Sequence, residues 1–181
     1  MMFLRRYNPP MAITLLRGVV SFSGWVNESV GRVLSWLLPA MTATVLTIIV
    51  CGSVFRVGWV WLGESVTYMH AALFMLAAAY ALRCDAHARI DIFYRRMSPR
   101  GRAAVNLFGA LFLLLPTCVV ILIYAVPYAA DSWKNLERSS EGGGLPMVFL
   151  LKTCIPLSAA LLALEGLAMA ARSVLELAER K

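Results

Sequence analysis

Residues 83–102 read RCDAHARIDIFYRRMSPRGR, and this stretch decides the fold. It holds six arginines (Arg83, Arg89, Arg95, Arg96, Arg100 and Arg102) together with His87, Asp85 and Asp91. On either side lies sequence free of Lys, Arg, Asp and Glu: Ser65–Leu82 before it and Ala103–Ala130 after it. Lys and Arg remain on the side from which membrane segments are inserted. A basic island between two apolar runs of membrane length therefore reads as a cytoplasmic loop. The orientation of every other segment follows from it.

Composition points the same way. The chain has 181 residues, 60% of them hydrophobic, and a mean hydropathy of +0.73. A water-soluble domain of this length is less apolar. A single membrane domain over residues 1–181 is expected. The net charge is +7, but the basic residues flank apolar spans. Anionic lipid headgroups, not nucleic acid, are the expected partner. The four cysteines, Cys51, Cys84, Cys118 and Cys154, fall singly with no CxxC and no zinc spacing, so they read as small buried apolar residues. Met11–Leu16 is broken by Arg17 and is not followed by a cleavage-like site, so it does not read as a signal peptide.

Taken in order, residues 1–10 form a basic arm in which Asn8-Pro9-Pro10 blocks helix. From residue 11 to 32 apolar residues recur at spacings of three and four: Leu15, Val19, Phe22, Val26, Val30 and Val33. Thr14, Arg17, Ser21, Gly24, Glu28 and Gly31 take the other side. This predicts an amphipathic helix that lies in the cytoplasmic interface or packs on a partner subunit. Residues 33–55 form an uncharged first span between Arg32 and Arg56. It is long enough to cross a hydrocarbon core of roughly 30 Å with tilt. Trp59 and Trp61 suit the following interface. Glu64 opens the second span, 65–82, where it complements the positive end of the helix dipole.

The second span is rich in Ala, which lets helices approach closely in lipid. Its His70 reads as a hydrogen-bonding contact to a neighbouring helix rather than as a proton or metal group. Ser98-Pro99 is a helix start. The third span, 103–130, exceeds one crossing and carries Pro116 and Pro127. An outer loop at 131–146 is charge-balanced and ends in Gly142-Gly143-Gly144. The fourth span, 147–171, has Lys152 placed to snorkel outward and Glu165 toward its inner end, where a carboxylate must be paired or wet. Of the 17 Lys and Arg residues, thirteen fall in the arm, the first helix, the basic loop and the tail, and four in the outer segments. Both termini are thereby expected in the cytoplasm.

The fold class expected is all-α integral membrane: four transmembrane helices plus an N-terminal interfacial helix. No nucleophilic triad, paired carboxylates or metal cluster is visible. The alternation Asp85, His87, Arg89, Asp91 is too rich in Arg for a cation site and reads as an interfacial ion-pair and headgroup network. The expectation is a non-enzyme with no catalytic, cofactor or metal residues. It acts as an accessory or scaffold subunit, the alternative being a self-contained four-span transporter working as a homo-oligomer.

Three stretches carry a family resemblance. They are Gly63-Glu64; Ala79-Tyr80-Ala81-Leu82-Arg83 running into His87-Ala88-Arg89-Ile90-Asp91; and Ser132-Trp133 with Glu137, Ser139, Ser140, Gly143-Gly144-Leu145-Pro146, Leu151-Lys152 and Ile155-Pro156-Leu157. Together they resemble the small membrane subunit of tripartite ATP-independent periplasmic (TRAP) transporters, the DctQ-like family. The last stretch is similar to a branch often labelled for mannitol/chloroaromatic or 2-oxo acid uptake. Ala88 stands where the pattern has Val, and Glu165 where it has a neutral Gln. The resemblance implies a bacterial inner-membrane subunit that anchors a large elevator subunit. A periplasmic binding protein delivers a small organic acid, and an ion gradient, by sodium symport, drives uptake. It also implies subunit and lipid interface roles for Glu64, Arg83, His87, Arg89, Asp91, Trp133, Glu137 and Lys152.

Overall fold

A computed structural model describes residues 11–86, 94 and 97–179. The basic arm and His87, Arg89 and Asp91 lie outside the described residues. The described chain is helical, with no strand among the described residues. Its helices are α1 (Met11–Ser35), α2 (Leu37–Val50), α3 (Val60–Arg83), α4 (Pro99–Phe108), α5 (Leu115–Lys134) and α6 (Val148–Glu179). Four helical runs are long and apolar enough to cross a membrane: Ile13–Phe55, Val60–Arg83, Pro99–Lys134 and Val148–Ala178.

Proline placement explains where these runs change pitch. Pro39 has no N–H for the carbonyl four residues earlier, and the helix breaks just there, at Trp36 between α1 and α2. Pro116 withdraws the same bond from Phe112. The chain answers with a wider π turn over Gly109–Leu114, which joins α4 to α5 without interrupting the helical path. A second π turn, Cys51–Phe55, ends the first run at Arg56, whose φ of 53° turns the chain toward α3. Ser98 caps α4: its Oγ accepts from Gly101 N at 3.2 Å, with Pro99 at the first helical position.

The central helix is α6. It packs against α5, α3, α1 and α4. The buried apolar residues are mostly alanines, among them Ala79, Ala103, Ala110, Ala159 and Ala168, each no more than 1% exposed. Gly166 belongs with them: a Cβ there would come within 2.9 Å of Leu114 Cδ2. Large apolar side chains such as Leu38, Ile49, Phe74, Phe112 and Ile123 point outward. The arrangement inverts a soluble protein, because lipid is no worse a solvent for Leu and Phe than the interior is. Helices then associate through close backbone approach.

The helix α1 follows the same inversion. Its exposed side carries Leu15, Phe22, Trp25 and Val33, and its packed side carries Ser23, Asn27 and Leu34. Gly24 and Gly31 lie on that packed side, against Arg83 and Tyr80 of α3. The helix thus docks on α3 and α6 of its own chain, a contact that the apolar stripe alone did not announce. Its register against α3 is antiparallel, since Gly24 meets Arg83 and Gly31 meets Tyr80.

Close Ala packing makes a specific demand. Ala110→Leu puts an isobutyl group into a position that is 0% exposed and is expected to cost about 1–3 kcal/mol through forced rotamers and backbone shift. Phe112→Leu, on the exposed side of the same π turn, should leave the melting temperature of the detergent-purified protein nearly unchanged. Equal melting temperatures for the two variants would contradict the assigned interior.

Candidate functional site

Two polar clusters stand at opposite ends of α3, and between them they hold most of the described intramolecular ion pairs. Around Glu64, at the start of α3, the loop joining α5 to α6 is drawn in. Glu64 accepts from the Ser139 hydroxyl and, at 2.5 Å, from the backbone N–H of Leu145. Gly144 makes this approach possible: a Cβ there would lie 2.7 Å from Glu64 Oε1. Gly143, at φ 83°, supplies the left-handed turn that precedes it. Ser139 N donating to Leu145 O at 3.2 Å closes the loop on itself.

Beside it, Glu137 accepts from Ser132 Oγ at 2.6 Å and from Lys152 Nζ at 2.5 Å. Lys152 is only 17% exposed, and its ammonium sits 4.1 Å from the centre of the Tyr128 ring. The Lys152 ammonium, and then the Ser132 hydroxyl, hold the Glu137 carboxyl below the usual carboxylate range. Trp133 Nε1 donates to Thr153 Oγ1 at 2.8 Å, and its ring lies 4.4 Å from that of Phe149. Four residues singled out in the sequence, Glu64, Trp133, Glu137 and Lys152, therefore gather at one end, where they lace α3, α5 and α6 to a single loop.

The other end is built around Glu165, which is 0% exposed. Its Oε2 accepts from Ser23 Oγ at 2.6 Å and from Asn27 Nδ2 at 3.0 Å, while its Oε1 faces Arg172 Nη2 at 2.5 Å. Ser23 and Asn27 are one helical turn apart on α1, and Arg172 is two turns beyond Glu165 on α6. Each helix therefore presents its pair on one face. Arg83 lies alongside. Its guanidinium rests against Gly24, and its Nη2 is 3.8 Å from Glu28 Oε2. Glu28 also meets Arg32 at 3.5 Å.

Of this second cluster, sequence reasoning marked Arg83 and Glu165 but not Ser23, Asn27 or Arg172 as a partner. The available signal was the stripe Ser23, Gly24, Asn27, Gly31, a polar and small face on an otherwise apolar helix. Among the described residues, no three His, Cys, Asp or Glu side chains come together in a way that could hold a metal ion. The arrangement is one of clamps: each carboxylate is taken up by donors from another helix or from the loop.

The Glu137 clamp has a pH signature. Glu137 titrates below its ordinary value in the folded chain. Its contribution to stability is complete above the ordinary carboxylate range, about pH 4.3 for a free Glu. It is lost as pH falls through the lowered folded value. Glu137→Gln is expected to melt below the parent at pH 7, with the gap narrowing as pH drops below about 4.3. A gap that stays constant over that range would show that Glu137 acts by packing alone.

Comparison with known proteins gives one family and nothing further. No curated protein and no solved structure matches the chain. The family described as tripartite ATP-independent periplasmic transporters, DctQ component, matches residues 41–176, three-quarters of the length. The match takes in α3 to α6 and, with them, Glu64, Arg83, Trp133, Glu137, Lys152, Glu165 and Arg172, while Ser23 and Asn27 of α1 precede it. A four-span helical chain whose charged residues serve helix clamps, matched over this extent, belongs to the DctQ family of TRAP transporter components.

Proposed function

We propose that the chain is the static small subunit of a TRAP transporter in the bacterial inner membrane. It anchors a large elevator subunit during ion-gradient-driven uptake of a small organic acid delivered by a periplasmic binding protein. The observation that carries this reading is where the polar groups go. Glu64, Glu137 and Glu165 all accept from residues of the same chain. A carrier instead keeps carboxylates, or the carbonyls of broken helices, turned toward a cavity for its ion and substrate.

A surface for the partner is available on α3. His70, Leu73, Phe74, Ala77, Ala78 and Ala81 line an apolar groove of about 690 Å³. Phe74 is 76% exposed, and His70 stacks on it at 6.3 Å between centroids. An exposed imidazole midway along a membrane-spanning helix is costly against lipid. A neighbouring transmembrane helix that offers His70 a hydrogen bond and fills the alanine shelf removes that cost. The interfacial role of α1, with both termini in the cytoplasm, completes the reading. Arg83, His87, Arg89 and Asp91 then stand at the cytoplasmic face, where lipid phosphates gather, and Glu64, Trp133, Glu137 and Lys152 at the periplasmic face.

Reporter fusions after residue 96 and after Glu141 are expected to report opposite sides of the membrane, cytoplasmic for the first. Equal signals from both would refute the topology.

Reconstituted alone into liposomes under a sodium gradient, the chain is expected to give no uptake. Adding the large subunit and the binding protein should restore it, and Ala78→Trp should lower the yield of the assembled complex. Uptake by the chain alone, lost in Glu165→Gln, would establish the homo-oligomeric carrier instead.

A further inference from the structure

Two polar atoms at the Glu165 end are buried without a hydrogen-bond partner among the described residues: Asn27 Oδ1 and Arg83 Nη1. They are complementary, an acceptor and a donor. The amide of Asn27 cannot be turned to satisfy itself. Its Nδ2 donates to Glu165 Oε2 at 3.0 Å and to Ser23 Oγ at 3.1 Å. A carboxylate in an ion pair only accepts, so the NH₂ must face it and Oδ1 must face away.

Arg83 reaches the same place from α3. Its guanidinium occupies the space that a Cβ on residue 24 would take, with Nη1 the nearest atom. Gly24 and Asn27 are three residues apart on one helix face, which separates their side-chain positions by about 5–6 Å. The two atoms therefore share one neighbourhood yet make no direct hydrogen bond; a single bridging water can satisfy both.

We infer that an internal water sits between α1 and α3, accepting from Arg83 Nη1 and donating to Asn27 Oδ1. A buried polar site with two unsatisfied groups is where internal water is held. The water joins the Glu165 cluster to the Arg83–Glu28 pair. One chain then runs Arg172, Glu165, Asn27, water, Arg83, Glu28 through α6, α1 and α3. Along it each carboxylate stands beside an arginine. Arg83 becomes a positioning residue: it sets the register of α1 on α3 just where the basic segment begins. This inference rests on the geometry of this chain and not on the identity of its partners.

The test uses the assembled complex in lipid nanodiscs. A cryo-EM map that resolves ordered waters should show a peak within hydrogen-bonding distance of both Asn27 Oδ1 and Arg83 Nη1. Direct contact between the two side chains, or a guanidinium turned out to a lipid phosphate, overturns the proposal. Thermal melting of Asn27→Ala, Arg83→Met and the double variant gives a second measure. The two losses should fail to add by about 2 °C or more, whereas unlinked sites would add within about 1 °C. Gly24→Ala supplies an independent check without touching a polar group. Its methyl displaces the guanidinium, so it should lower the melting temperature of the parent and do much less in the Arg83→Met background. An equal loss in both backgrounds overturns the link.

Discussion

A carboxylate buried at membrane depth is the constraint on which the rest of the structure depends. Glu165 has no exposed surface, and a charge there persists only with a countercharge and donors in place. Arg172 supplies the charge, and Ser23 and Asn27 supply the donors. Arg172 is 36% exposed, so it is its removal, which strands the buried carboxylate, that approaches the roughly 3–5 kcal/mol typical of breaking a buried pair. Exposed pairs such as Lys134–Asp131, at 74% and 67% exposure, contribute roughly 0–1 kcal/mol. The magnitudes decide which ion pair organises the fold. The requirement for donors explains why α1 docks on α6: a helix carrying Ser23 and Asn27 on one face is what the carboxylate needs.

The same solvent logic accounts for the parts that look wrong by the standards of a soluble protein. Aromatic and branched side chains cover the outside, and alanines fill the helix contacts. Prolines sit within or at the start of helices that still hold together. The chain absorbs Pro39 and Pro116 by a break and a π turn, because in lipid an unpaired carbonyl has no water to turn to. Thr42, Thr44 and Thr47 likewise return their hydroxyls to carbonyls one turn back, at 2.8–3.0 Å.

Much of this was legible in the sequence, for identifiable reasons. Charge-free runs between charged flanks are a strong signal and yield the first three long apolar helices, while the fourth shows through its apolar length despite Lys152 and Glu165. Ser98-Pro99 marks a cap because both residues suit that position chemically. Glu64, Trp133, Glu137 and Lys152 stood out through a family pattern, and folding brings them together at the α5–α6 loop. What escaped was the face of α1. Its stripe of Leu15, Val19, Phe22 and Val26 announces an apolar face for lipid or a partner and says nothing of what the opposite face meets. In lipid that stripe turns outward, and the informative residues are the few polar and small ones. Glu165 seemed out of place because its donors lie more than 130 residues away on another helix. Arg172, two turns along α6, was the part of its environment that spacing alone could have indicated.

The division of labour between the two kinds of contact bears on rigidity. Alanine faces permit close approach but specify position weakly, since sliding one helix along another exchanges one small residue for the next. Hydrogen bonds to a carboxylate are directional, and a shift of one turn breaks them. The Glu64–Glu137 clamp fixes α3, α5 and α6 at one end through a loop that partly meets water. The Glu165 clamp fixes α1 and α6 at the other end, in a buried site. Arg83, against Gly24 and Glu28, ties α3 to α1 at that end, so the outward face of α3 between Phe74 and Ala81 belongs to a helix held at both ends by directional contacts.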